Sequence, residues 1–196
     1  MPPNDERIGI FGGTFDPVHN GHLTIARSVF ESERLDRMVF VPSARPPHKG
    51  DDIMFSAAER LHLLALALAG TPSFEVSSIE LDREGPSYTI DTLHEFKALY
   101  PPGTALFFVV GKDNLFEIDT WKDPRGILEA CTVLVADRSC RASGAPAWIE
   151  ARVRFVRTPL IDISSSEIRK RIRDGLDIRH MVPPAVADEI ERMRGV

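Results

Sequence analysis

The sequence contains little cysteine, no long apolar run and no excess of positive charge. Its two cysteines, Cys131 and Cys140, are too few for a disulfide framework and lack the spacing of a metal site. The most apolar helical stretch, residues 61–69, is too short to cross a bilayer, and the first residues contain no apolar signal core. The formal net charge of -5 argues against general binding to nucleic acid. We therefore expect a cytoplasmic protein with neither a membrane nor a nucleic acid as its partner.

Several familiar catalytic motifs are also missing. The chain has no G-x-G-x-x-G fingerprint after its first predicted strand, which disfavours a dinucleotide-dependent oxidoreductase. It has no Walker A lysine motif and no nucleophile elbow. We therefore expect any reaction to proceed without a covalent enzyme intermediate.

Apolar strand patterns alternate with helical patterns along almost the whole chain, and 43% of the 196 residues are hydrophobic. This alternation is typical of an α/β fold with a doubly wound, Rossmann-like and mostly parallel sheet that carries helices on both faces. No linker interrupts it, so residues 1–196 are expected to form a single domain, with the helical segment 164–196 packed on it. The predicted strands are residues 7–11, 37–41, 74–81, 105–110, 132–136 and 153–156.

We expect the rest of the chain to be arranged around residues 9–22, whose sequence is GIFGGTFDPVHNGH. Gly12 and Gly13 allow a sharp turn after the first strand, and a helix is predicted to begin near residues 20–22. His19 and His22 then lie three residues apart at a strand-to-helix junction, where backbone N–H groups and a positive helix end favour anions. Taken singly, a Gly-Gly pair is also common in ordinary turns. A single histidine near a helix start commonly forms a hydrogen bond with a neighbouring backbone group. A zinc site is disfavoured because a third ligand is missing.

Two further loops at the predicted carboxyl edge of the sheet suit a phosphorylated ligand. Residues 46–49, Pro-Pro-His-Lys, follow the second strand and present His48 and Lys49 on a stiff backbone. Residues 163–169, Ile-Ser-Ser-Ser-Glu-Ile-Arg, begin a helix with hydroxyls, backbone N–H groups and the guanidinium of Arg169 at one end. An exposed polar loop and a capped helix start are the structural alternatives for these two segments.

Taken together, these motifs resemble those of the His-x-Gly-His nucleotidyltransferase superfamily. Residues 12–22, GGTFDPVHNGH, are similar to its nicotinate mononucleotide adenylyltransferase branch. Residues 163–169 resemble the Ile-Ser-Ser-Thr-x-Ile-Arg signature of the same superfamily, with Ser166 in place of threonine. The resemblance implies direct attack by a mononucleotide phosphate on the α-phosphorus of ATP. The products would be nicotinate adenine dinucleotide, made for NAD synthesis, and pyrophosphate.

The resemblance also implies which residues serve each substrate. His19, His22 and Arg169 are the expected catalytic residues, and Mg²⁺ is the expected cofactor, bridging phosphate oxygens of the ATP co-substrate with no metal site of the protein's own. Asp113, just beyond the end of a predicted central strand, is expected to accept a hydrogen bond from a ribose hydroxyl. The full set expected to bind ATP is Gly12, Gly13, Thr14, Phe15, His19, His22, Gly111, Asp113, Ser165, Ser166 and Arg169.

A second set is expected to bind the mononucleotide. By resemblance, Trp121 stacks on the pyridine ring, although a partly buried hydrophobic anchor is equally compatible with its position. Family members often carry an aromatic residue after this tryptophan, whereas this chain has Lys122, a cation that suits an acid substrate. The expected set is His48, Lys49, Thr89, Ile90, Trp121 and Lys122, with backbone N–H groups near residues 89, 90 and 122 meeting the nicotinate carboxylate.

Three other functions stay open at this point. One is a transferase of the same superfamily that uses nicotinamide mononucleotide or phosphopantetheine. Another is a non-catalytic ATP-binding module, which would bind ATP without releasing pyrophosphate. The disfavoured oxidoreductase is the third. The sequence leaves a homo-oligomer possible and does not indicate its size.

Overall fold

A computed structural model describes residues 6–44, 53–137 and 145–195. Within these residues six parallel strands form one sheet, in the order β3-β2-β1-β4-β5-β6. The order reverses between β1 and β4, and this is the point where open α/β sheets bind ligands beyond the carboxyl ends of their strands. The strands are β1 (Arg7–Gly13), β2 (Arg37–Pro42), β3 (Phe74–Val76), β4 (Ala105–Gly111), β5 (Thr132–Asp137) and β6 (Val153–Arg157).

Eight α-helices and one 3₁₀ turn, Ile118–Thr120, connect and follow the described strands. Local sequence explains two of their starts: Ser56 and Glu59 form a capping box, and Ser164 accepts the N–H of Glu167 at 3.2 Å. The helices are α1 (Asn20–Ser32), α2 (Ala57–Leu68), α3 (Thr89–Leu99), α4 (Lys112–Glu117), α5 (Pro124–Ala130), α6 (Ala147–Glu150), α7 (Ser165–Arg173) and α8 (Pro184–Arg194).

Two apolar clusters cover the two faces of the sheet. One contains Val29 of α1, Leu64 of α2 and Ile172 of α7, together with apolar residues of α8. The other contains Leu93 of α3 and Ile127 of α5. The predicted α/β, doubly wound and Rossmann-like architecture is therefore confirmed, with a fully parallel sheet. The helices of the 164–196 segment contribute to the first cluster, while the assignment of the whole chain to one domain stays a prediction.

The structure corrects one predicted boundary. β3 ends at Val76 rather than at residue 81, because the chain turns at Ser78, whose carbonyl accepts the N–H groups of Leu81 and Asp82 at 2.7 and 3.0 Å. Residues 147–150 form the short helix α6. No helix in the described part of the chain is long and apolar enough to cross a membrane.

Candidate active site

The two histidines of the 9–22 stretch lie side by side. His19 is the N-cap of α1, with extended backbone at φ -146° and ψ 169°, and His22 lies in the first turn. Their rings stack with centroids 3.7 Å apart and an interplanar angle of 27°. The N–H of His19 also donates to Nδ1 of His22 at 3.3 Å. The three-residue spacing therefore brings both imidazoles to one point, as the sequence predicted.

Gly21 makes room for this arrangement. A Cβ at this buried position would lie 2.9 Å from both Cε1 and Nδ1 of His19 and 3.6 Å from Cγ2 of Ile161. Such a contact is far shorter than the separation at which carbon atoms attract. The glycine of the His-x-Gly-His motif thus serves the packing of the imidazole rather than an unusual backbone angle.

Burial sets the charge of His19. The side chain is 6% exposed, and its Nδ1 has no hydrogen-bond partner among the described residues. Desolvation lowers the pKa of His19 to about 4, because a buried imidazolium loses its hydration. At neutral pH His19 is therefore a neutral imidazole that can donate one N–H to an anionic oxygen.

Aromatic rings support His22 from the core side. The ring of Phe15 meets the His22 ring edge-on at 5.0 Å, and Phe11 does so at 6.1 Å. Phe15 is 2% exposed, so of this predicted ATP-binding residue only the backbone can meet a ligand. Gly13 permits the close packing of that ring, since a Cβ there would lie 3.0 Å from Cζ of Phe15.

Arg169 fastens the start of α7 to the histidine-bearing loop. Its Nη1 donates to the carbonyl of Asp16 at 2.9 Å and lies 3.6 Å from the Asp16 carboxylate. Ser165 Oγ donates to the carbonyl of Pro17 at 3.1 Å, and Nη2 of Arg169 donates to Ser166 Oγ at 3.2 Å. The start of α7 thus contacts residues 16 and 17, which precede His19 in the same loop.

A cavity of about 320 Å³ opens at the carboxyl ends of β1, β2 and β4. Gly12, Gly13 and Thr14 of the predicted ATP set line it, and so do three residues of the predicted mononucleotide set, Thr89, Trp121 and Lys122. The cavity is thus lined by part of each predicted set. The residues of the ATP set that do not line it include His19, His22, Ser165, Ser166 and Arg169. Ile90 is 3% exposed and packs in the second apolar cluster, so only its backbone is available to a ligand.

Trp121 and Lys122 form one side of the cavity. The Trp121 ring meets Phe108 edge-on at 6.3 Å, while its buried Nε1 has no hydrogen-bond partner among the described residues. Nζ of Lys122 lies 2.9 and 2.8 Å from the two carboxylate oxygens of Asp91, and 4.8 Å from the centroid of the Tyr88 ring. Trp121 thus serves partly as a hydrophobic anchor, and an acidic neighbour compensates the charge of Lys122.

The remaining predicted residues lie at the margin of the site or outside the described chain. Gly111 ends β4, and Asp113 is exposed in the first turn of α4, where Asn114 rather than Asp113 lines the cavity. His48 and Lys49 lie outside the described residues.

Sequence reasoning missed Glu80, a carboxyl group on the cavity wall. It is 8% exposed and accepts a hydrogen bond from Thr92 Oγ1 at 2.7 Å. Burial raises the pKa of Glu80, while hydrogen bonds from Thr92 and Ser87 oppose that rise. The strand pattern assigned to residues 74–81 hid this residue, because the turn at Ser78 is what carries it to the cavity.

Sequence reasoning also missed Arg60 on α2, which is 1% exposed. One signal was available: Arg60 lies four and eight residues before Leu64 and Leu68, which places it on the buried face of the helix.

Comparison with known proteins identifies relatives of the whole chain. The sequence model of the family described as cytidylyltransferase-like matches residues 10–171. A Moorella thermoacetica protein named "Probable nicotinate-nucleotide adenylyltransferase" is 41% identical over 198 residues, covering 97% of this chain and 91% of that protein. A Thermus thermophilus protein of the same name is 44% identical over 189 residues, covering 95% of this chain and 97% of that protein.

One solved structure with this fold is the Plasmodium falciparum nicotinic acid mononucleotide adenylyltransferase complexed with NaAD. It superposes with a TM-score of 0.79 at 19% sequence identity and covers 96% of each chain. A second structure of that protein, complexed with APC, gives a TM-score of 0.75 at 18% identity. At these identities the likeness is one of fold.

Proposed function

Because the chain belongs to the cytidylyltransferase-like family, we propose that its cleft transfers AMP from ATP to nicotinate mononucleotide, giving nicotinate adenine dinucleotide and pyrophosphate for NAD biosynthesis. The relatives from Moorella thermoacetica and Thermus thermophilus carry the name of that activity and cover at least 95% of this chain. The Plasmodium falciparum enzyme of the same fold was solved with NaAD, the dinucleotide itself.

The observation that carries the proposal is the contact of Arg169 with Asp16. Through the 2.9 Å hydrogen bond to the Asp16 carbonyl, a cation from α7 lies against the loop that presents the stacked His19 and His22. Imidazoles, a guanidinium and the start of a helix are a donor set that suits a polyphosphate. The cavity beside them, lined in part by Gly12 and Gly13, suits a second substrate that must reach the same phosphate.

The proposed reaction is a single in-line displacement at the α-phosphorus of ATP. A phosphate oxygen of the mononucleotide forms a bond to phosphorus, and the bond from phosphorus to the bridging oxygen of the β-phosphate breaks as pyrophosphate leaves. His19 and His22 stabilise charge on the α-phosphate oxygens. Arg169 supplies positive charge beside the leaving pyrophosphate, while Ser165 and Ser166 supply hydroxyl groups. Such a transfer depends on positioning and charge stabilisation more than on acid–base chemistry.

The mononucleotide contacts are also part of the proposal. Trp121 offers its ring to the pyridine, and Thr89, Ile90 and Lys122 offer backbone N–H groups to the carboxylate. His48 and Lys49 are assigned to the reacting phosphates by the family resemblance. Backbone of residues 12–15 faces ATP, and Gly111 with Asp113 is assigned to its ribose.

Mg²⁺ enters the proposal as an ion that arrives with ATP, since nucleotidyltransferases generally use a divalent metal. Among residues 6–44, 53–137 and 145–195, no three His, Cys, Asp or Glu side chains gather into a metal-binding group. In this proposal the ion is held mainly by phosphate oxygens of ATP and by water. When bound, the ion neutralises charge on the triphosphate. The use of ATP makes the cytoplasm the proposed location.

The proposal is tested by following the α-phosphate of labelled ATP with three acceptors: nicotinate mononucleotide, nicotinamide mononucleotide and phosphopantetheine. The expected result is label in nicotinate adenine dinucleotide, one pyrophosphate released per dinucleotide, and a higher kcat/KM for the acid than for the amide. Equal or better use of the amide or of phosphopantetheine would refute the substrate assignment. Binding of ATP without pyrophosphate would instead identify an ATP-binding module.

A further inference from the structure

Arg60 is a buried arginine whose hydrogen bonds go to backbone carbonyls. Its Nη1 donates to the carbonyls of Thr14 at 2.7 Å and of Ser43 at 2.9 Å, and its Nε donates to the carbonyl of Phe55 at 3.2 Å. With 1% of its surface exposed, it has given up almost all of its hydration. Burial lowers the pKa of Arg60, while the nearby charge of Asp16 acts in the opposite direction.

The three carbonyls belong to three separate segments around the cavity. Thr14 follows β1 and Ser43 follows β2, and both residues line the cavity. Phe55 precedes α2, and its N–H donates to Oδ1 of Asp16 at 2.9 Å, while the N–H of Met54 donates to Oδ2 at 2.9 Å. Arg60 thus lies behind the cavity wall and connects the strand ends that form it to the loop that bears the histidines.

We propose that Arg60 is a positioning residue that fixes the separation of the Thr14 and Ser43 walls, and so aligns the mononucleotide with ATP. This inference rests on the proposed function. The planar guanidinium reaches carbonyls in several directions from one fixed plane, whereas a lysine ammonium is a single point at the end of a flexible stem. A lysine at this position keeps the charge but cannot hold all three segments. Arg60 therefore acts through the backbone and does not itself touch a substrate.

The test compares Arg60→Lys with Arg37→Lys. Arg37 begins β2 at the opposite end of the sheet and bonds the side chains of Glu6 and Glu75, so the same substitution there leaves the cavity unchanged. For Arg60→Lys we expect a higher KM for nicotinate mononucleotide and a lower kcat, with a loss of about 10²-fold in kcat/KM. Arg37→Lys should stay within about twofold of the unmodified protein. An Arg60→Lys variant with unchanged kcat/KM would overturn the proposal.

Amide hydrogen exchange gives a readout that does not depend on activity. The N–H of Ser43 donates to the Gly13 carbonyl at 2.9 Å, and those of Met54 and Phe55 donate to Asp16. In Arg60→Lys the exchange of these three amides should accelerate about tenfold more than that of the β5 amides, which report any change in the stability of the whole fold. Acceleration by the same factor throughout the chain would show a purely structural role and overturn the proposal.

If Arg60→Lys does not fold, Arg60→Gln, which buries no charge and still donates to one carbonyl, takes its place with the same expected pattern. If the unmodified protein makes no dinucleotide, the proposed function fails. The exchange pattern still decides whether Arg60 holds the two walls.

Discussion

His19 stacks on His22 with the ring centroids 3.7 Å apart, and burial of the His19 side chain lowers its pKa to about 4. The ordinary value of 6.5 applies in the unfolded chain, so between about pH 4 and 6.5 the unfolded chain binds more protons than the folded one. Stability therefore rises with pH across this window and falls as the solution is acidified. Integrated over this pH window, His19 changes the free energy of unfolding by about 3 kcal/mol.

The first prediction concerns this pH dependence. Urea unfolding at several pH values should show the unfolding free energy of the unmodified protein declining from pH 7 to pH 4 more steeply than that of His19→Asn. Asparagine is a good N-cap, so α1 keeps its start. His94→Asn, at an exposed position of α3, serves as the control and should keep the full slope. Equal slopes for the protein and for His19→Asn would contradict the assignment of a neutral buried imidazole.

The second prediction concerns Gly21→Ala. Alanine favours a helix over glycine by about 1 kcal/mol, yet its Cβ would lie 2.9 Å from the His19 ring. The His19 ring must then move, so kcat should fall by about 10²-fold while thermal unfolding shows little loss of stability. Ser32→Ala, at an exposed position near the end of α1, should change neither quantity. Full activity in Gly21→Ala would show that the position of the His19 ring does not matter to the reaction.

The third prediction concerns Asp91, which holds the ammonium of Lys122 at 2.8 Å. Asp91→Asn removes the compensating charge at the mouth of the cavity, so the preference in kcat/KM for the acid over the amide mononucleotide should rise by about threefold and weaken in high salt. Both side chains are partly exposed, which keeps the expected effect on stability small. Lys122→Met should lower the preference, and Lys97→Met, exposed on α3, should leave it unchanged. A preference that none of these variants alters would exclude the Lys122 ammonium from recognition of the carboxylate.

The fold could be predicted from the sequence because buried parallel strands, such as residues 105–110, are continuous apolar runs between helical patterns. The meeting of His19 with His22 also followed from spacing, since three residues span about one helical turn. The meeting of Arg169 with Asp16 did not follow from any local pattern, because it joins residues 153 positions apart. The family resemblance assigned both motifs to one polyphosphate site, but it did not predict the contact with Asp16.

Other features of the site became visible only in the folded structure. The sequence shows Lys122 as a cation available to a carboxylate, but folding brings Asp91, 31 residues away, against its ammonium. Helical spacing places Arg60 on the buried face of α2, but no sequence pattern predicts its three carbonyl partners. Glu80 reads as part of a strand, because a turn that departs from regular pairing has little signature in apolar periodicity.

We propose that the stacked histidines stabilise charge at the α-phosphate of ATP. The most direct measurement is the steady-state rate of pyrophosphate release from ATP and nicotinate mononucleotide by His22→Ala, beside His94→Ala as the matched control. We expect kcat of His22→Ala to fall by about 10²–10³-fold with its fold intact, and that of His94→Ala to stay unchanged. An unchanged kcat in folded His22→Ala would contradict the account.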